Sequence, residues 1–320
     1  MIRGRAEVTL STESGASLSS EATPKRTTAG RLGGAMVMGG IGVLFFSFTL
    51  PATHISVPVF GGVIVGLGRA MFAAILAAGV LLVRREPFPA RHTWRGLFAV
   101  VLGVVIGFPL LSALALVGAP VAHSAVINGL LPAATAILAV IRTDERPSIL
   151  FWLSCAAGTT AVIAFALLQG GGHLQMGDWL MVGAVAVGAL GYAEGGRLAR
   201  EMGGWRVICW ALVLAAPFIV PPVVWLFAMR GVQGTPVAWA GLAYVSIFSS
   251  FLGFFAWYRG LALGGIARVS QIQLLQPILT IAWAALLLGE PLTPAIGVTA
   301  VFVAACVALG QRTRLSGTAK

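Results

Sequence analysis

The chain has 320 residues, 58% of them hydrophobic and only 10% charged, with a mean hydropathy of +0.94 and a formal net charge of +11. Globular domains carry about 25% charged residues, so this composition excludes an ordinary soluble enzyme or nucleic-acid-binding domain and defines a membrane protein.

Residues 1–30 are polar and rich in Ser and Thr, without the apolar core of a cleaved signal peptide, and are expected to form a disordered tail. Crossing the hydrocarbon takes about 20 apolar residues. Such segments recur at 33–53, 61–83, 95–116, 119–141, 148–168, 178–198, 206–228, 238–260, 266–288 and 293–310, with 311–320 as a short polar tail. The predicted fold is therefore an all-α membrane protein of ten transmembrane helices. Its connections are short, leaving no room for a soluble domain between spans. Cys155, Cys209 and Cys306 each fall in a different span, without ligand spacing, and are read as packing residues.

The positive charge has a pattern. Lys25, Arg26 and Arg31 precede the first span; Arg84, Arg85, Arg91 and Arg95 join spans 2 and 3; Arg142 and Arg146 join 4 and 5; Arg197, Arg200 and Arg206 join 6 and 7. Arg259 and Arg268 flank the 8–9 turn, and Arg312, Arg314 and Lys320 follow the last span. The alternate set of connections holds only Arg230. Cytoplasmic loops collect Lys and Arg, so both termini are expected in the cytoplasm.

A shift of 145 residues aligns Trp94 with Trp239, Ala122 with Ala267, Pro132 with Pro277 and Glu145 with Glu290, among twelve identities in 52 aligned positions. Five spans per half is an odd number, so the second half is expected to enter the membrane from the opposite side. The basic residues change loops accordingly: Arg142 and Arg146 align with Leu287 and Pro291, and His123 aligns with Arg268. Two inverted five-helix repeats, 33–168 and 178–310, are thus expected, an arrangement that underlies alternating access in transporters.

The stretches LQPILTIAWAALLLGEPLTP (275–294), LPAATAILAVIRTDERP (131–147) and GLGRAMFAAILAA (66–78) resemble the drug/metabolite transporter superfamily, EamA type, and the resemblance runs over about 33–310. It implies secondary transport of small organic molecules across an inner membrane, commonly outward, that is, efflux.

The candidate site residues are polar groups at midplane depth. Asn128 and Gln273 are equivalent at the repeat spacing, and each stands four residues before a proline, Pro132 or Pro277. Proline has no N–H, so each frees a carbonyl at an expected helix break. Amides and freed carbonyls at that depth suit either a hydrated substrate cavity or helix-to-helix hydrogen bonds. Gln271 and Gln276 carry the same alternatives. Arg69 lies about nine residues into the second span, too deep to snorkel, and must face protein or water, either as an anion ligand or as a cap on carbonyls. Glu194 either exchanges a proton with the transport cycle or pairs with Arg197 three residues on. Tyr192, Trp257 and Tyr258 either line cavity walls or anchor the interface. Glu145 and Glu290 read as turn and packing elements.

A polytopic membrane enzyme is the alternative from another class, but His54, His92, His123 and His173 are scattered in sequence and no HExxH or paired-carboxylate motif occurs. A non-transporting sensor or scaffold needs no chemistry and leaves midplane amides unexplained. The expected partners are a small-molecule substrate and the lipid bilayer, with a homodimer left open. No nucleic acid, cofactor or metal is expected.

Overall fold

The computed structural model describes residues 28–141, 148–169, 173–231 and 233–317. All regular structure among them is helical. Eight helices are long and apolar enough to cross a membrane: α1 (Gly33–Phe60), α2 (Gly62–Arg84), α3 (Arg91–Ala115), α4 (Val121–Leu138), α5 (Ile149–Leu168), α6 (Met176–Met202), α7 (Gly204–Arg230) and α8 (Pro236–Gly264). Two shorter apolar helices follow, α9 (Ile272–Leu288) and α10 (Pro294–Leu309). Large apolar side chains such as Leu82, Leu168, Phe218 and Trp225 stand exposed on the outside of the bundle. That surface suits lipid rather than water. Residues 1–27, Arg142, Glu145 and Arg146 lie outside the described residues, as do the side chains of Arg31, Arg268, Gln271, Arg312 and Arg314.

α1 continues past the expected end at 53 to Phe60. A single residue, Gly61 at φ 81°, then turns the chain, its N–H donating to the Val57 carbonyl at 2.7 Å. Gly203 at φ 87° makes the same one-residue turn between α6 and α7. A side chain is strained at such a φ, which is why glycine stands at both corners.

The fourth and ninth spans are each interrupted. The first part of α4 is helical over Val121–Asn128, and a new helix starts at Leu131 with Pro132 as its second residue. Ahead of α9, a turn of helix at Ile266–Val269 tightens into a 3₁₀ segment, Ser270–Leu274. An α-helix then resumes at Leu275, with Pro277 as its third residue. Proline is tolerated in a first helical turn and opposes continuation from the preceding one, so each break falls just ahead of its proline. The two breaks abut: a Cβ added at Gly129 would lie 3.5 Å from the Pro277 ring.

α3 and α8 share a different irregularity. Each widens to a π-helix, over Val101–Gly107 in α3 and Val245–Leu252 in α8. In α3 this coincides with a close crossing, since a Cβ on Gly103 would come 2.6 Å from the Val187 carbonyl of α6. α1 and α8 cross as closely, a Cβ on Gly260 falling 2.8 Å from the Gly39 nitrogen. Small residues at such crossings let backbones approach, as membrane helices require in the absence of a hydrophobic drive between them.

The helix packings include α1 on α8, α6 on α3, α2 on α7, α4 on α9 and α5 on α10. Exchanging the first five helices for the last five turns the first pairing into the second and leaves the other three unchanged.

Candidate functional site

Arg69 projects from α2 into the bundle and is only 3% exposed. Its Nε donates to the Ser250 hydroxyl at 2.8 Å and its Nη2 to the Ser249 hydroxyl at 2.5 Å. Ser249 Oγ also lies 2.7 Å from Thr49 Oγ1 of α1. Both serines come from the π-helical stretch of α8, a backbone form common at functional sites. The third arm, Nη1, is buried with no hydrogen-bond partner among the described residues. Leaving a charged donor unsatisfied in an apolar interior is expensive, so the position calls for a ligand or water.

Arg69 lines a small internal cavity where α1, α2, α3, α6, α8 and α9 meet. Its polar lining is Thr49, Arg69, Tyr192, Ser249 and Gln276, and rings of Phe46, Phe108 and Phe254 close it. Its volume is ≈ 20 Å³, room for about one water. The site is therefore closed in this conformation. Tyr192 packs in an aromatic cluster, 5.6 Å from the Trp257 ring centroid and 5.9 Å from that of Phe254.

The amides divide. Gln276 lines the cavity, and its Oε1 accepts from Gln273 Nε2 at 3.4 Å. Gln273 is buried beside it with Oε1 unpartnered, and Asn128 is buried at the α4 break with Oδ1 unpartnered. Neither Asn128 nor Gln273 lines the cavity as it stands. Tyr258 is fully buried, its hydroxyl donating to the Gly191 carbonyl at 3.1 Å, its ring set against Gly195 and its Cβ and backbone against Gly204. It fills a glycine slot between α6 and α7. Trp257 and Tyr192 are likewise buried, so none of these three rings is an exposed interfacial anchor. Glu194 is buried and its Oε2 lies 3.1 Å from Arg197 Nε, as the ion-pair alternative requires.

A second, larger cavity of ≈ 520 Å³ opens where the 3–4 and 9–10 connections meet the start of α6, with His54, His123, Asp178 and Glu290 in its lining. Three of the four join non-local contacts. His123 Nε2 lies 2.6 Å from Asp178 Oδ1, and Asp178 Oδ2 accepts the Gln175 N–H at 2.9 Å. The Glu290 carboxylate accepts the N–H groups of Val121 at 2.7 Å and Ala122 at 2.8 Å, capping α4 from the other half of the chain. A carboxylate at a helix N-terminus satisfies orphan donors and complements the helix dipole. This role is more definite than the turn element expected of Glu290. His54 and His123, scattered in sequence, share this one cavity, and Asp178 is a second buried carboxylate besides Glu194.

Sequence reasoning missed Ser249, Ser250, Thr49, His123 and Asp178. The first two had a signal: SIFSSFL places hydroxyls at 246, 249 and 250, one helical face of an otherwise apolar span.

A lipid-exposed helical bundle enclosing a desolvated guanidinium and a closed polar cavity belongs to the class of polytopic membrane transporters. The profile of the EamA-like transporter family matches this chain twice, over residues 34–167 and 175–310, and the chain belongs to that family. It is 45% identical over 284 residues to "Uncharacterized transporter YdeK" of Bacillus subtilis, covering 86% of this chain and 96% of that protein. It is 30% identical over 268 residues to "Uncharacterized protein PA1977" of Pseudomonas aeruginosa, covering 79% and 85% respectively. A solved crystal structure shares the fold with a TM-score of 0.61 at 15% identity, covering 86% of this chain and 95% of its own.

Proposed function

We propose that the protein is a secondary transporter that moves small organic molecules across the inner membrane by alternating access, in the outward direction. In this reading all ten helices span the bilayer as two inverted five-helix units, 33–168 and 178–310, with both termini cytoplasmic. Support comes from the twofold family match, the exchange-symmetric helix pairings, and helix breaks and π stretches that recur at the 145-residue spacing. The observation that carries it is the closed cavity around Arg69, because helices from both units line it. A rocking motion between similar halves opens such a cavity to one side and then the other.

Arg69, Gln276 and Gln273 contact substrate in this scheme, with Asn128 and Gln271 joining as the breaks at Pro132 and Pro277 move. Tyr258 holds α6 and α7 at their crossing. Glu194 couples a proton only if its bond to Arg197 opens during the cycle. Glu194→Gln then abolishes pH-driven uptake while sparing substrate exchange; unchanged pH-driven uptake removes Glu194 from the coupling.

The test is uptake of a panel of radiolabelled metabolites into reconstituted vesicles, with and without a pH gradient. Saturable counterflow of at least one compound, absent from protein-free vesicles, is expected. No counterflow for any compound, by a protein shown to be folded, would contradict a transport function.

A further inference from the structure

We propose that the central site takes a small organic monoanion: a carboxylate on an aromatic or otherwise apolar body, carrying no ammonium group. This rests on the transporter reading of the same cavity. Three features of the site lead there, and each excludes a neighbouring class of compound.

The first is charge without a counter-charge. Arg69 is 3% exposed, two of its arms are held by neutral serine hydroxyls, and Nη1 has no protein acceptor. Guanidinium does not lose its proton in proteins, so the site stays cationic and must be neutralised from outside the protein. Among the described residues every carboxylate is engaged elsewhere: Glu86 with Arg206, Asp178 with His123, Glu194 with Arg197, Glu201 with His92, and Glu290 with the N-terminus of α4. Neutral amides and amines therefore lack the group that Arg69 needs.

The second is the size of that charge. One guanidinium balances one negative charge, and among the described residues no other cation lines the cavity. A phosphate dianion would leave an excess negative charge in an apolar interior, whereas a carboxylate leaves none. Carboxylate also accepts from an arginine arm in its preferred plane, and Tyr192 and Thr49 add polar lining at the same cavity.

The third is what the lining lacks. Among the described residues no acidic side chain is part of it, so the ammonium of an amino acid would enter desolvated and unpaired. Rings of Phe46, Phe108, Tyr192 and Phe254 instead offer flat apolar walls to the rest of the molecule. At ≈ 20 Å³ the cavity holds no such body in the closed state, so the ligand enters as the helix breaks open.

The experiment compares benzoate, benzamide, benzylamine, phenylalanine and phenyl phosphate on the purified full-length protein, by thermal stabilisation and by counterflow in proteoliposomes. Benzoate is expected to raise the melting temperature and to exchange saturably, with the other four at least about tenfold weaker, the loss expected when a charge-assisted contact is missing. Arg69→Gln should abolish benzoate binding, and Arg69→Lys should weaken it by about tenfold or more, because the ammonium lacks the planar fork. The comparison among ligands uses unmodified protein, so it stands even where a variant fails to fold. Stabilisation by benzoate without counterflow would uphold the ligand class and overturn transport. Counterflow of phenylalanine or benzylamine without benzoate would uphold transport and overturn the ligand class. Benzoate neither binding nor moving overturns the proposal in every case.

Discussion

Val104 in α3 and Ser249 in α8 stand 145 residues apart, and both lie inside a π-helical stretch. Ser249 accepts a hydrogen bond from Arg69, while Val104 brings only apolar surface to the same cavity and packs against Gly191. The next pair repeats the contrast: Ser250 accepts from Arg69 and Val105 is plain core. At the helix breaks, Gln276 lines the cavity and its mate, Leu131, is buried in the apolar core. The halves thus share backbone irregularities at a fixed spacing and differ in the side chains placed on them. Backbone form can be exchanged between halves, as a two-state motion needs, whereas binding needs only one set of polar groups. Duplicating that set would bury further unpaired donors.

This comparison predicts a strong asymmetry of chemistry. Removing both hydroxyls by Ser249→Ala with Ser250→Ala withdraws two acceptors from a buried cation, each worth about 1.5–3 kcal/mol. Counterflow should fall by about 100-fold or more, with a lower melting temperature. The mirror change at the position outside the cavity lining, Val105→Ser, should alter counterflow less than about threefold, because serine in a helix can bond its own preceding turn. A loss equal to that of the double alanine variant would break the asymmetry.

Framework substitutions should behave in the opposite way, affecting both halves alike. Gly103→Ala at the α3–α6 crossing and Gly260→Ala at the α1–α8 crossing each place a Cβ within 2.8 Å of neighbouring backbone. Each should lower unfolding free energy by about 1–3 kcal/mol, the range for overpacking. Gly297→Ala, where nothing lies within 4 Å, serves as the neutral control. Crossing variants that differ from one another by more than that range would show the two crossings to be unequal.

The smallest effect is expected at Glu290. Glu290→Gln keeps the shape but removes the charge that complements the α4 N-terminus, about 0.5–1 kcal/mol. The stability loss should be marginal. The larger sign should be faster thiol labelling of Ala122→Cys from the side on which the ≈ 520 Å³ cavity opens, as the cap loosens. Unchanged labelling would confine Glu290 to helix capping.

Much of this was legible in the sequence, for physical reasons. Length and apolar content mark the long helices, since the bilayer fixes both. Arg69 stood out because a cation at that depth has no lipid-facing solution. Pro132 and Pro277 flagged the breaks, which fall just ahead of them, at 129–130 and at Ser270–Leu274. What could not be read was contact across the chain. His123 and Asp178 are 55 residues apart, and Glu290 meets Val121 across 169, so neither has a local pattern. Serine is ambiguous for another reason: in an apolar helix it bonds its own preceding turn as Ser246 does, or reaches a partner as Ser249 does. The extension of α1 past 53 carries Pro58 inside the helix, ahead of the glycine corner.

The central claim is that one cavity, bounded by both halves, is reached in turn from either side of the membrane. Gln276→Cys, in a chain with Cys155, Cys209 and Cys306 replaced by Ala, puts a single thiol on the cavity wall. A small membrane-impermeant thiol reagent is then applied to right-side-out and to inside-out vesicles. Labelling from both sides, slowed by benzoate in each case, is the predicted result. Labelling from one side alone, or from neither, in protein that is folded would contradict alternating access at this site.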